Sequence, residues 1–374
     1  MELEKWQRQA VLEAGFKTYP LKHSEKTPII DDRSFLLFCM IVLRGVLIMQ
    51  IEDIIIVGGG PCGLAAAIAV QDIGKKPLII EKGNVVNSIY HYPTHQTFFS
   101  TAEKLEIGEV PFITEHYKPK RNQALVYYRE VAKRKQLRIN AFEKVTSVSK
   151  QGELFHVFTN KNTYCARYVI IATGYYDHPN YMEVPGENLS KVFHYFKEAH
   201  PFYDKDVCVI GGKNSSVDAA IELVKAGARV TVLYRGEKYS PSIKPWILPE
   251  FEALVRAGTI LMEFNATLKE ITENQVVYIK DHNENVISND FVFAMTGYHP
   301  DHQFLRNMGV KIDGESGRPF FNADTMETNI EGIYIAGVIA AGNNANEIFI
   351  ENGRFHGGEI ACSILEKDAK RVTK

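Results

Sequence analysis

Two stretches of the chain place glycines and polar residues where a backbone can grip phosphate. Gly58-Gly59-Gly60-Pro61-Cys62-Gly63 matches G-x-G-x-x-G. It follows Asp-Ile-Ile-Ile-Val at 53–57, a short β-branched run that reads as a buried strand. Residues 64–74 read as a helix. Residues 77–80 read as the next strand, closed by Glu81, 23 positions after Gly58. Such glycines allow a tight turn and a close backbone approach, and the helix start offers free N–H groups and a positive dipole end. An acid about 20 residues on accepts hydrogen bonds from ribose hydroxyls. Gly58, Gly60, Pro61, Gly63 and Glu81 are therefore the candidate contacts of a dinucleotide.

The pattern returns in altered form. A strand at 206–210 precedes Gly211-Gly212-Lys213-Asn214-Ser215-Ser216. A helix is expected over 217–226, closed by Gly227, and a strand over 229–233. Lys213 and Ser216 replace the second and third glycines of the motif. The strand ends in Tyr234-Arg235, with no acid there. An arginine at that point suits a 2′-phosphate, which a carboxylate would repel. Lys238 and Lys244 stand just beyond it. This second site reads as one for NADPH, held by Gly211, Gly212, Lys213, Asn214, Ser215, Ser216, Arg235 and Lys238.

Two further strands carry signatures. Tyr168-Val-Ile-Ile-Ala-Thr-Gly174 ends in Ala-Thr-Gly, and Gly332-Ile-Tyr-Ile-Ala-Gly337 ends in Ala-Gly. These resemble the flavin-contact strands of flavoproteins with two dinucleotide-binding domains. The resemblance implies FAD at the first site, with Thr173, Gly174, Gly337, Val338 and Val145 among its contacts. Phe293-Ala-Met-Thr-Gly297 resembles the return between domains in such proteins. The expected fold is α/β, with two Rossmann-like dinucleotide-binding domains, the NADPH domain inserted in a split FAD domain. The expected divisions are an extension over 1–48, FAD-binding parts over 49–178 and 297–374, and the NADPH domain over 179–296. The turn-rich Pro179, Asn180 and Pro185-Gly186 suit the outgoing linker.

The thioredoxin reductases and flavin monooxygenases share this layout, but this chain has no C-x-x-C and lacks the F-x-G-x-x-x-H fingerprint over 192–201. What stands out is Cys62, inside the first glycine motif. Ile-Ile-Val-Gly-Gly-Gly-Pro-Cys-Gly-Leu-Ala, Gly-Gly-Lys-Asn-Ser-Ser-Val-Asp-Ala-Ala and Ala-Gly-Val-Ile-Ala-Ala-Gly-Asn-Asn-Ala-Asn together closely resemble the bacillithiol disulfide reductases of Gram-positive bacteria. That resemblance implies an FAD-containing, NADPH-dependent disulfide oxidoreductase in which Cys62 exchanges with a small-molecule disulfide. A helix start lowers a thiol's pKa, so Cys62 is expected to favour thiolate. The other reading is a small packing residue beside the pyrophosphate. Val338 is a departure, since an acid usually contacts the flavin's ribityl chain there. The alternative activity is electron transfer of the ferredoxin/flavodoxin–NADP reductase type, which needs no thiol.

The aromatic loop Tyr90–Ser100, with His91 and His95, is expected either to shield a flavin ring and supply protons or to pack as structure. A helix entered between Asn346 and His356 is expected to point at the flavin, with His356 as a structural histidine. Cys165, Cys208 and Cys362 are expected to be packing residues.

Composition sets the bounds. The chain has 374 residues, 43 Lys plus Arg against 45 Asp plus Glu, and a net charge of −2. That argues against nucleic-acid binding by bulk charge. Five scattered cysteines fit a reducing cytoplasm, and no metal-ligand spacing is present. The one long apolar run, 35–49, is interrupted by Arg44 and Gly45 and falls short of the roughly 20 residues that span a bilayer. Residues 1–48 read as an upstream translation artefact or a poorly ordered extension before Met49, with a short membrane-docking segment as the rival. A homo-oligomer is compatible with the resemblance; no membrane or nucleic-acid partner is expected.

Overall fold

The structure, a computed structural model, describes residues 51–344 and 346–372. The expectations for residues 1–48 lie outside the described residues. The first half of the chain lays down β1 (Ile51–Val57), α1 (Pro61–Asp72), β2 (Pro77–Ile80), α2 (Asn87–His91), α3 (Arg121–Arg134), β3 (Arg138–Asn140), β4 (Val145–Gln151), β5 (Leu154–Thr159) and β6 (Thr163–Ile171). The middle of the chain forms β7 (Val192–Phe193), β8 (Asp206–Ile210), α4 (Asn214–Lys225), β9 (Arg229–Leu233), α5 (Leu248–Arg256), β10 (Ile260–Glu263), β11 (Thr267–Ile271), β12 (Gln275–Lys280), β13 (Asn283–Ser288) and β14 (Phe291–Ala294). The end supplies α6 (His302–Asn307), β15 (Ile333–Ile335), α7 (Ile350–Gly353) and α8 (His356–Val372).

Two sheets with parallel centres result, the first extended at one edge by antiparallel β5 and β4. The first sheet has seven strands in the order β3-β2-β1-β6-β5-β4, with β15 also paired to β6. The second has five parallel strands, β10-β9-β8-β14-β7, and β11-β12-β13 form an antiparallel sheet of their own. The crossover helices bury both faces of the central strands. Ile54, Ile55 and Ile56 are fully buried as a result, each contributing about 1.5–3 kcal/mol by burial. Helix α1 is apolar on most sides because it is sandwiched between this sheet and α8. Gly357 makes the second contact possible, since a Cβ there would lie 2.7 Å from the Ala66 Cα.

Strand register places the chemistry. Val57 pairs with both Ile80 and Ile171, and Ile171 pairs with Ile335. Four strands thus stop together, and the residues that follow them, Gly58, Glu81, Ala172 and Ala336, share one edge. In the second sheet Ile210 pairs with Leu233 and Ala294, so Gly211, Tyr234 and Met295 share an edge likewise. Carboxyl ends of parallel strands are where α/β sheets bind ligands. The two crossings between the sheets pair with each other. Pro179 bridges Tyr298, and the Asn180 N–H donates to the Gly297 carbonyl at 2.9 Å.

Both phosphate-facing helices begin three residues earlier than their apolar pattern predicts, at Pro61 and Asn214. The first turn has free N–H groups, so proline and small polar residues serve there without apolar periodicity.

Candidate active site

A continuous cleft of about 1360 Å³ runs between the two strand edges, walled by residues of both glycine loops. At the first loop the glycines divide their duties. A Cβ on Gly58 would lie 2.5 Å from the Ala172 carbonyl oxygen, at a φ of +109°, and one on Gly63 would lie 2.1 Å from the Gly58 oxygen. These two hold the turn closed. Gly60 has open space where its Cβ would be, which leaves the backbone bare towards the cleft. Gly60 caps α1, Pro61 is its first residue, and its first turn carries no acid to compete with a phosphate.

Glu81 is 6% exposed. It accepts from the Gly59 N–H at 2.6 Å and the Gly83 N–H at 2.8 Å. Burial raises its pKa, opposed by those two donors. The acid therefore clamps the glycine loop onto the end of β2 as well as facing the cleft. Val145 is a buried, apolar part of the cleft wall. Thr173 and Gly174 also line it, and the buried Thr173 Oγ1 has no hydrogen-bond partner. An open glycine cradle, an unneutralised helix start and an unspent hydroxyl on one edge fit the phosphates and ribose of a dinucleotide.

Cys62 is the second residue of α1 and lines the cleft as a free, half-buried thiol. Its Sγ sits in a slot made by two glycines: Cβ atoms on Gly337 and Gly353 would each come within 3.0 Å of it. Desolvation pushes the thiol up to about 12. The expected thiolate is thus corrected: loss of water from the packed sulfur outweighs the helix dipole, worth only about 0.3–1 kcal/mol. Gly337, at a φ of +82°, leads into the 3₁₀ turn over 338–341, and the half-buried Val338 adds an aliphatic wall and no hydrogen bond. The Gly337 N–H donates to His356 Nδ1 at 3.1 Å. Burial lowers the His356 pKa, so this imidazole is a neutral acceptor with its proton on Nε2. It is a satisfied structural histidine at the start of α8.

At the second loop, Gly211 has a φ of +140°, and a Cβ there would lie 2.5 Å from the Met295 carbonyl oxygen. Gly212 lies under the Tyr234 ring. Lys213 caps α4, whose first turn is also free of acids. The Asn214 side chain donates to the Ser242 carbonyl and accepts from the Lys244 N–H, at 2.9 Å each. Ser215 and Arg235 are exposed on the cleft, and Arg235 has no carboxylate partner among the described residues. Two expected positions lie elsewhere. The Ser216 hydroxyl donates to the Lys213 carbonyl at 2.8 Å, within its own helix turn. Lys238 is exposed and off the cleft wall.

A tyrosine cluster gathered at the two crossings completes the wall. Tyr176 and Tyr298 meet at 4.7 Å with their rings tilted, Tyr92 lies 5.2 Å from Tyr176, and behind them Tyr195 stacks on Tyr298 at 5.3 Å. The repeated Thr-Gly-Tyr at 173–175 and 296–298 was the legible hint, since it marks both crossings. In the aromatic loop Tyr92, Gln96, Phe98 and Phe99 line the cleft; His91 and His95 are exposed and do not. Asp218, on α4, faces the cleft, and burial pushes its carboxyl up to about 6. Cys165 and Cys208 are buried, as packing residues should be, but Cys362 is exposed on α8.

A family model for pyridine nucleotide-disulphide oxidoreductases matches residues 55–337. Bacilliredoxin reductase Bdr of Bacillus subtilis (strain 168) is 72% identical over 319 residues, covering 85% of this chain and 98% of its own. The structure of bacillithiol disulfide reductase Bdr (YpdA) from Bacillus cereus superposes with a TM-score of 0.84 at 69% identity, over 85% of this chain and all of that one. Bacillithiol disulfide reductase Bdr (YpdA) from Staphylococcus aureus superposes with a TM-score of 0.84 at 62% identity, over 85% of this chain and 99% of that one.

This chain belongs to the pyridine nucleotide-disulphide oxidoreductases, in the Bdr family.

It is therefore a flavin- and pyridine-nucleotide-dependent oxidoreductase with a thioredoxin-reductase-like fold. Within this oxidoreductase, Cys62 lies beside the loop expected to hold the flavin dinucleotide, while the nucleotide loop faces it across one cleft. Among the described residues, no group of three or more His, Cys, Asp or Glu side chains is placed to hold a metal. No helix among them is long and apolar enough to cross a membrane.

Proposed function

We propose that the enzyme uses NADPH and bound FAD to reduce bacillithiol disulfide, with Cys62 as the exchanging thiol. The observation that carries this reading is the placement of a free cysteine on the wall of a cleft that both glycine loops border. The Bacillus cereus and Staphylococcus aureus relatives are named as bacillithiol disulfide reductases. In this reading residues 49–178 and 297–374 form the flavin unit and 179–296 the nucleotide unit.

Gly58, Gly60, Pro61 and Gly63 hold the pyrophosphate of FAD through backbone N–H groups, and Glu81 keeps that loop seated. Thr173, Gly174, Val145, Gly337 and Val338 border the rest of the group. Gly211 to Asn214 hold the pyrophosphate of NADPH. Arg235, exposed and unpaired, selects the 2′-phosphate. The chemistry a flavin supplies when bound is passage of an electron pair from a nicotinamide to sulfur. The chain's own chemistry is thiol exchange: Cys62 loses its proton, Sγ bonds to one sulfur of the substrate, and the second sulfur departs as thiolate and takes up a proton. With its pKa near 12, the Cys62 thiol is protonated at rest and gives up its proton in the exchange step itself.

The test is NADPH consumption with bacillithiol disulfide, glutathione disulfide, cystine, coenzyme A disulfide and thioredoxin, in the parent and in Cys62→Ser. Turnover with bacillithiol disulfide and a loss of about 100-fold or more in the variant, with flavin retained, is the expected result, because removing a nucleophile removes the bond-forming step it performs. Reduction of one-electron acceptors with no disulfide turnover would replace this reading with a ferredoxin–NADP reductase type.

A further inference from the structure

One rim of the cleft is built differently from the rest. The loop after β9 reaches across to the other unit and sets Trp246 5.9 Å from the Phe99 ring, edge to face. Lys118 Nζ lies 4.4 Å over the Trp246 ring. Lys244 Nζ lies 5.6 Å from the Phe99 ring and 5.8 Å from that of Phe349. Trp246 is 56% exposed and Phe349 38%. Neither lysine has a carboxylate partner among the described residues, whereas nearby Lys104 lies 4.0 Å from Glu351. Aromatic faces hold ammonium groups in place without neutralising them. The rim therefore offers two oriented, uncompensated positive charges beside flat apolar surface.

The rim is joined to the thiol. Phe349 follows Ile348, whose Cγ2 lies 3.1 Å from the Cβ position at Gly353, and that position is 3.0 Å from Cys62 Sγ. Phe99, Lys244, Trp246 and Phe349 all line the same cleft as Cys62.

We infer that Lys118, Lys244 and Trp246 form a selectivity rim that receives the carboxylate-bearing arms of the disulfide substrate while its S–S bond lies at Cys62. This rests on the disulfide-reductase reading above and adds the substrate's charge class to it. The competing occupant is the nucleotide itself, because Lys244 N–H also holds Asn214 at the start of α4.

The experiment compares bacillithiol disulfide, whose malyl arms are carboxylates, with its malyl methyl esters, in the parent and in Lys118→Ala/Lys244→Ala. The variant is expected to raise KM for the acid by about tenfold, as loss of two partly exposed charge contacts should. The effect falls on KM rather than kcat, and KM for the ester and for NADPH stays put. Equal KM changes for acid and ester, or a rise confined to NADPH, overturns the inference. Trp246 emission provides a reading that needs no turnover: the acid quenches it, Trp246→Phe removes the quenched component, and the ester quenches it less. Should the parent reduce no disulfide at all, the functional reading fails. The quench then decides the rim alone: its presence with the acid keeps an anion site, and its absence removes it.

Discussion

Carboxamidomethylation of Cys62 measures the balance between helix dipole and burial directly. Only the thiolate reacts. A free cysteine near 8.5 is about a quarter ionised at pH 8. With the Cys62 thiol near 12, its ionised fraction there is about 10⁻⁴ by the same titration relation. Iodoacetamide should therefore modify Cys62 about a thousandfold more slowly than free cysteine at pH 8. The rate should climb about tenfold per pH unit up to pH 11 without a plateau. Peptide-resolved mass spectrometry separates the sites, and exposed Cys362 acts as the internal marker of reagent activity. In denaturant the difference should vanish, because the slot between Gly337 and Gly353 no longer exists. A plateau near pH 7–8, at a rate matching free cysteine, would refute the argument. It would mean that the dipole of α1 outweighs desolvation and that the resting sulfur is already the nucleophile.

The glycines of one motif should fail in different ways. Gly63→Ala drives a Cβ to 2.1 Å from the Gly58 oxygen and should abolish soluble folded protein, while Gly60→Ala meets nothing within 4 Å and should fold with the melting temperature of the flavin-stripped parent yet fail to retain flavin. Asp218 has its pKa raised to about 6 by burial, so the stability it contributes is present below its unfolded value near 4 and is lost as pH rises through 6. Asp218→Asn should therefore be more stable than the parent by roughly 1–3 kcal/mol at pH 8 and show no such gain at pH 4, read by urea denaturation. Arg235→Ala should cut the preference for NADPH over NADH about tenfold or more, read as the ratio of kcat/KM values; an unchanged ratio would remove Arg235 from the phosphate site.

Much of the site was legible because its chemistry is local. A strand, three glycines, a helix and an acid at fixed spacing carry their own explanation in backbone geometry. The structure keeps Gly58, Gly60, Gly63 and Glu81 on one strand edge, as that spacing requires. The place of Arg235 on the cleft was readable for the same reason, since it stands two residues past the end of β9. The starts of α1 and α4 were misplaced by three residues, because first-turn positions bury no apolar stripe and periodicity passes over them.

What depended on distant contacts was not legible. The sequence by itself determined a pair of nucleotide loops, their order, and a cysteine at a helix start. Only the tertiary structure decided that Gly337 and Gly353, nearly 300 residues away, close around that sulfur and hold it protonated. The same holds for the meeting of Trp246 with Phe99 and for the inward turn of the Ser216 hydroxyl. Spacing along a chain governs which backbone atoms can bond. Solvation and charge depend on what packs nearby, and in a fold that leaves its first sheet and returns to it, those neighbours come from the far end of the sequence.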